Sequence, residues 1–195
     1  MTPILSVLIP SVPSRRELAW KLFDKISGQA AVLPDVDGLC QVEVLLLLDN
    51  KMRTVGKKRG SLVRASRGDY VTFVDDDDDV SDDYVSLILQ STGRNPDLIV
   101  FDSHVTINGI GPTLCQHGIA FENEQYRPEG FKRKPWHIHA WRGDYARVTP
   151  FPDLMYGEDW PWCESMLKTV TKHVKIDRPL YHYRFDDATT EASHS

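Results

Sequence analysis

The chain has 195 residues and a mass of 22.2 kDa, the size of a single domain, and 41% of its residues are hydrophobic, enough for a real core. Its 23 Lys and Arg against 28 Asp and Glu give a net charge of -5 and a pI near 5.8, which excludes a protein coated in positive charge but not a local basic face. Three cysteines, Cys40, Cys115 and Cys163, lie far apart without a C-x-x-C pair, which excludes a disulfide framework and a zinc cluster and fits a reducing cytoplasm.

The N-terminus has no basic n-region and its apolar run is interrupted by Pro10, so it reads as neither a signal peptide nor a membrane span. Ile4 to Ile9 reads instead as a strand covered on both faces and ended by Pro10. Ser14 and Glu17 have capping-box spacing ahead of Leu18, Leu22, Phe23 and Ile26, which predicts a helix starting near Arg15. The pattern repeats: a strand over Val42 to Leu48 ends at Asp49-Asn50, and Gly56 to Ser66 has the length of a helix. A third strand, Tyr70 to Val74, runs directly into Asp75-Asp76-Asp77-Asp78-Asp79. Ser81 is then placed to cap a helix carrying Tyr84, Leu87 and Ile88, and Leu98 to Phe101 supplies a fourth strand.

Strands alternating with helices predict an α/β fold with a mostly parallel sheet, whose ligand site lies beyond the carboxyl ends of the strands. Ser11, Asp49 and Asp75 each follow such an end and are expected to share one crevice. Residues 1–107 form the first half of the domain on this reading and 108–185 the second. From Asn108 to Pro152 no periodicity is legible; Glu158 to Val170 then reads as a helix opened by Gly157, with Pro161 in its first turn and Trp162, Met166 and Val170 packing inward. Residues 186–195 read as a mobile tail.

Five consecutive aspartates repel one another unless something positive sits among them, and a hard divalent cation such as Mn2+ or Mg2+ takes oxygen ligands while bridging carboxylates to substrate phosphates. The plainer alternative is a solvated acidic turn; the position straight after the strand YVTFV favours the metal. The segment GKKRGSLVRASRGDYVTFVDDDD resembles the core of the family 2 glycosyltransferases in Gly56, Arg59, Gly68-Asp69-Tyr70 and Asp75-Asp76-Asp77. The resemblance implies the GT-A fold. It also implies a nucleotide-diphosphate sugar as donor, a UDP-sugar first among them, with Asp75 at the donor ribose and metal, Asp77 as metal ligand and Asp76 in the variable position beside the donor. Pro10, Ser11 and Arg15 in VLIPSVPSR match the donor loop of that family, Asp49 matches the acid facing the base, and Arg59 lies beside the donor. The chain departs from the family pattern at Leu48, where a further acid is usual, and at Gly60, where asparagine is usual.

Downstream, FPDLMYGEDWPW resembles the acceptor-side element in which Asp159 would be the catalytic base of an inverting transfer, with Glu158 and Trp160 at the acceptor. Standing alone, the two acids would merely complement a helix N-terminus. PLYHYRFDD resembles the segment that folds over the donor, with Arg184 near the diphosphate and His182 as a further metal contact. Between the acidic motifs, the segment Phe131 to Arg142 carries four fixed cations and no acid, and Trp136, His137, His139 and Trp141 are its acceptor candidates. Lys51 to Arg67 is a second acid-free stretch. The acceptor is then either a glycan or other small molecule, with aromatic platforms under a sugar, or a hydroxymethylated base in DNA of the kind that compact phage transferases of this family modify, in the bacterial host cytoplasm. The rival classes are a non-catalytic module that keeps the fold to hold a nucleotide or glycan, and a sugar nucleotidyltransferase; PSVPSRRE lacks the glycine-rich loop of the latter. The oligomeric state stays open.

Overall fold

The computed structural model describes residues 2–34 and 40–187, so the expected tail lies, from residue 188 onward, outside the described residues. One sheet carries strands from both halves of the chain. Its first three members are β1 (Leu5–Ser11), β2 (Val42–Leu48) and β3 (Tyr70–Phe73), paired in parallel with β1 in the middle. The antiparallel strand β8 (Ala140–Arg142) then joins β3 to β5 (Leu98–Ile107), and β6 (Ile110–His117) and β7 (Phe131–Arg133) extend the sheet to its far edge. The long last strand β9 (His173–Phe185) runs parallel to β5 and pairs the two-residue β4 (Asp79–Val80). Helices α1 (Arg16–Ala31) and α3 (Tyr84–Thr92) cover one face; α2 (Val55–Ala65), α4 (Gly143–Val148) and α5 (Asp159–Leu167) cover the other. This is the expected mixed, helix-flanked architecture. Among the described residues no helix is long and apolar enough to cross a membrane.

Every residue of β1 is buried, as a strand covered on both faces should be. The strand does not stop at Pro10 as expected; it continues to Ser11. Odd-numbered residues of β1 exchange hydrogen bonds with β2, as Asp49 N–H to Ser11 O shows, and even-numbered ones with β3. Because the β3 pairing ends at Leu8 opposite Phe73, the N–H that Pro10 lacks would have pointed past the end of β3, so nothing is lost. Two expected caps are also absent. Ser14 lies in a 3-10 turn, Pro13–Arg15, ahead of α1, and Ser81 donates to Asp83 Oδ1 at 2.8 Å instead of capping α3.

The start of β3 is fixed by a polar clamp. Glu43 Oε1 accepts from Ser6 Oγ at 2.6 Å and from Arg67 N at 2.5 Å, and Ser6 Oγ accepts from Gly68 N at 2.8 Å. A side chain at position 68 would put its Cβ 2.6 Å from Ser6 N, which explains a glycine two residues before the strand. Burial pushes the Glu43 carboxyl up, but its hydrogen bonds to Ser6 and Arg67 hold it below its ordinary value of 4.5. A depressed folded-state pKa adds stability above the unfolded value, and that stability fades as pH falls through the folded one. We therefore expect Glu43→Gln to cost about 1 kcal/mol at pH 7, allowing for solvent screening, with the loss shrinking toward pH 3. Thermal melts of both proteins across that range check it; a pH-independent difference refutes it.

Candidate active site

Past the carboxyl ends of β1 and β3, and between α2, α5 and β9, opens a cleft of about 400 Å³. Pro10, Ser11, Arg15, Arg59, Asp75, Asp76, Asp77, His137, Glu158 and Asp159 all line it. Asp75 leaves the end of β3 and Asp159 opens α5, so two acids far apart in sequence reach the same space from opposite sides.

One guanidinium joins them. Arg59, on the buried face of α2 and only 5% exposed, donates from Nη2 to Asp75 Oδ1 at 2.8 Å and from Nε to Glu158 Oε1 at 2.8 Å. Its carbon Cζ lies 5.0 Å from the centre of the Phe73 ring, and its third nitrogen, Nη1, is buried with no hydrogen-bond partner. Burial alone would raise the Asp75 carboxyl, but Arg59 and a 3.2 Å contact from His137 Nε2 hold it well below the usual carboxylate range. The other nitrogen of that imidazole, Nδ1, sits 3.0 Å from Asp159 Oδ2, an ion-pair contact without good hydrogen-bond alignment. His137 thus lies between the two acids. Burial and Arg59 act against its charge, yet Asp159 and Asp75 raise its pKa, and His137 in turn holds Asp159 down at about 2 against the effect of burial.

The remaining aspartates have different neighbours. Asp76 accepts from Ser11 Oγ at 2.6 Å and from Arg15 Nη1 at 2.9 Å, and the same nitrogen lies 3.0 Å from Asp77 Oδ2. Burial and the charges of Asp75 and Asp76 push Asp77 up to about 6, even with Arg15 nearby. Asp78 is buried and structural: Tyr181 donates to it at 2.5 Å and the Arg184 backbone at 2.7 Å, and burial raises it well above the ordinary carboxylate value. Asp49 does not line the cleft. It pairs with Lys58 Nζ at 2.8 Å, and the same ammonium holds Ser11 O, while Asp49 Oδ2 stays buried without a partner.

Several expected residues lie elsewhere. His182 is not among the residues lining the cleft; Tyr181 and Tyr183 point there, and the residue between them on an extended strand faces the other way, bonding Thr106 Oγ1 at 2.7 Å. The Arg184 guanidinium is likewise outside the cleft, paired with Asp79 at 2.8 Å. His139 and Trp141 are 0% exposed and belong to the core. Trp141 Nε1 donates to Trp136 O at 3.0 Å, and His139 Nδ1 accepts from Trp136 N at 2.7 Å while its Nε2 faces Phe101 O at 3.0 Å. Both therefore position the turn that presents Trp136 and His137. Trp160 does not line the cleft either. Four cations of the second acid-free stretch are paired internally: Lys57 with Asp153, Lys58 with Asp49, Arg59 with Asp75 and Arg67 with Glu43.

The donor set suits a cation completed by substrate. Among the described residues no group of three or more His, Cys, Asp or Glu side chains is assembled to cage a metal. Asp77, with its raised pKa, and Asp75 offer hard oxygen ligands, and magnesium-type sites need only one or two carboxylates when phosphate oxygens supply the rest. His182 does not fit such a site.

The mixed, helix-flanked sheet is that of the GT-A fold. S. aureus TarS (residues 1–349), solved in complex with UDP-GlcNAc, superposes with a TM-score of 0.66 at 15% identity, covering 93% of this chain and 58% of that one. The same fragment in complex with UDP covers 94% of this chain and 61% of that one at the same TM-score of 0.66 and identity of 15%. EpsH of Bacillus subtilis (strain 168), provisionally named a glycosyltransferase, is 26% identical over 94 residues, which are 45% of this chain and 26% of EpsH. The chain thus spans about a quarter of EpsH and three fifths of the solved TarS fragment. The glycosyl transferase family 2 model matches residues 23–146, well over half of the chain, and the protein belongs to that family.

Removing Arg59 would leave Asp75 and Glu158 facing each other across a buried gap. We expect Arg59→Met to cost about 3–5 kcal/mol in urea unfolding, partly recovered in the Arg59→Met/Glu158→Gln double variant. A loss under about 1 kcal/mol would mean that water already reaches these carboxylates.

Proposed function

We propose that the protein is a glycosyltransferase that moves a sugar from a nucleotide-diphosphate donor, a UDP-sugar, to an acceptor hydroxyl with inversion. The observation that carries this reading is the convergence of Asp75 and Asp159 on one cleft, held apart by His137 and anchored by Arg59. An inverting transfer needs two acidic positions with separate duties, one at the leaving group and one at the nucleophile. Asp159, the cleft-facing acid on α5, takes the acceptor proton as the hydroxyl oxygen bonds to the anomeric carbon. The bond from that carbon to the diphosphate oxygen breaks in the same step, and the nucleoside diphosphate departs with the electron pair. Inversion follows from attack opposite the leaving group.

On the donor side, one unsatisfied buried atom of a cleft-lining residue marks where a polar ligand atom belongs: Arg59 Nη1 offers a hydrogen bond to an anionic oxygen. A divalent cation held by Asp77 and Asp75, Mn2+ or Mg2+, would supply neutralisation of charge on the departing diphosphate. Arg15, already placed against Asp76 and Asp77, offsets part of their negative charge. Three unpaired cysteines fit a reducing compartment, the cytoplasm.

Two substitutions separate the duties. Asp77→Ala should lower Mn2+-dependent affinity for UDP at least tenfold in calorimetry, and equal affinity of variant and wild type would overturn the metal assignment. Asp159→Asn should bind UDP within about threefold of wild type while its transfer rate falls by about 10²–10⁴. Normal turnover in that variant would remove Asp159 from the role of base.

A further inference from the structure

We propose that the far wall of the cleft is an acceptor subsite for a hydroxyl carried on a planar aromatic or heteroaromatic ring with an anionic group beside it. The inference rests on the transferase reading and names the acceptor chemistry of that same site. Trp136 connects the two regions: its ring lies 5.5 Å from His137, which touches both acids, and 6.3 Å from Tyr183. Beyond them the wall continues over Ile107, Phe131 and Tyr126. Trp136, Tyr183, Ile107 and Tyr126 are only half-buried: each packs on a core cluster with part of its surface and lines the cleft with the rest. Apolar area left open in a concave site favours an apolar ligand face at about 25 cal/mol per Å² covered.

A saccharide would fit this wall poorly. Its ring hydroxyls need donors and acceptors around its edge, and each one buried without a partner costs about 1–3 kcal/mol. Apart from the tyrosine phenols and the Trp136 indole N–H, the wall offers Ser103, His117 and Arg133. Ser103 and His117 are occupied with each other, Oγ to Nε2 at 3.0 Å, and His117 Nδ1 faces Lys134 O at 3.2 Å. Burial moves the His117 pKa down to about 4, so it is neutral near pH 7 and contributes no cation. Arg133 remains. Its Cζ lies 5.5 Å from the Phe131 ring centre and 5.6 Å from that of Trp136, and among the described residues no carboxylate comes within 4.0 Å of its nitrogens. Arg15, Lys58, Arg59 and Arg184 around the cluster all have acidic partners. A half-buried guanidinium stacked on two rings extends a flat binding surface and leaves its edge for a phosphate or carboxylate.

The test uses three ring probes and one sugar: 5-hydroxymethyl-2′-deoxycytidine 5′-monophosphate, 4-hydroxybenzoate, neutral 4-hydroxybenzyl alcohol, and methyl β-D-glucoside. Binding is followed by saturation-transfer NMR with and without UDP and Mn2+, and transfer from UDP-glucose and UDP-N-acetylglucosamine by mass spectrometry. We expect the two charged ring probes to bind at least tenfold more tightly than the glucoside. A nucleotide preference would identify the source as a nucleotide or nucleic-acid base, and the reverse as a small aryl acid. Arg133→Gln should weaken the charged probes about tenfold, and raise their KM in transfer more than it lowers kcat, while the neutral ring changes little. Trp136→Leu should weaken all three rings; if it fails to fold, Arg133→Gln decides alone. Equal or tighter binding of the glucoside, or loss of charged and neutral rings in equal measure in Arg133→Gln, overturns the proposal. Failure of UDP to bind would instead overturn the transferase reading, and the NMR arm without UDP still decides the subsite.

Discussion

The buried Arg59 guanidinium is the constraint on which the cleft depends. It ties the end of β3 to the start of α5 through Asp75 and Glu158. Burying three charges is costly, and such a cluster rarely stabilises a fold relative to apolar residues of the same shape. What it provides is geometry: the two acidic segments can sit together only with that cation between them. The backbone beneath is equally fixed. Gly56, at the first turn of α2, donates its N–H to Leu154 O at 3.1 Å, and a Cβ there would fall 1.9 Å from Pro152 O. The helix that carries Arg59 is therefore in direct backbone contact with the loop that leads to Asp159.

Polarity changes sharply along the cleft. At one end lie carboxylates whose pKa values spread apart, with Asp75 and Asp159 held low and Asp77 pushed up to about 6. Groups of one chemical kind thereby acquire different proton affinities, a usual feature of sites that divide labour between acids. At the other end aromatic rings and a stacked arginine replace them. His137 stands at the junction, and His139 and Trp141 fix it there from the core.

The first half of the fold was legible because its signals are local. β2 has the expected bounds, and α2 and β3 fall within one residue of theirs, because apolar runs between turn residues mark buried parallel strands and the motif glycines mark close backbone approaches. The second half was not. β6 is a half-exposed strand that pairs with β5 across a tight turn, β7 and β8 are three residues long with more distant partners, and the mixed pattern HVKIDRPLYHYRF of β9 conceals 13 residues of strand. Site residues failed for a related reason: composition flags a histidine or tryptophan but not the face it occupies. Two-residue alternation along β9 sends His182 away from the cleft, and His139 and Trp141 satisfy backbone groups in the core. The bridge made by His137 has no sequence signal at all, since its two carboxylate partners come from different elements.

The cysteines carry a practical consequence. Burial pushes the Cys115 thiol up to about 12 and Cys163 well above its ordinary value, so neither offers a thiolate at neutral pH. Cys40, just before β2, is the exposed one of the three. A maleimide fluorophore added to the unaltered protein should attach at that single position, giving a spectroscopic handle on the parallel end of the sheet without any engineered substitution.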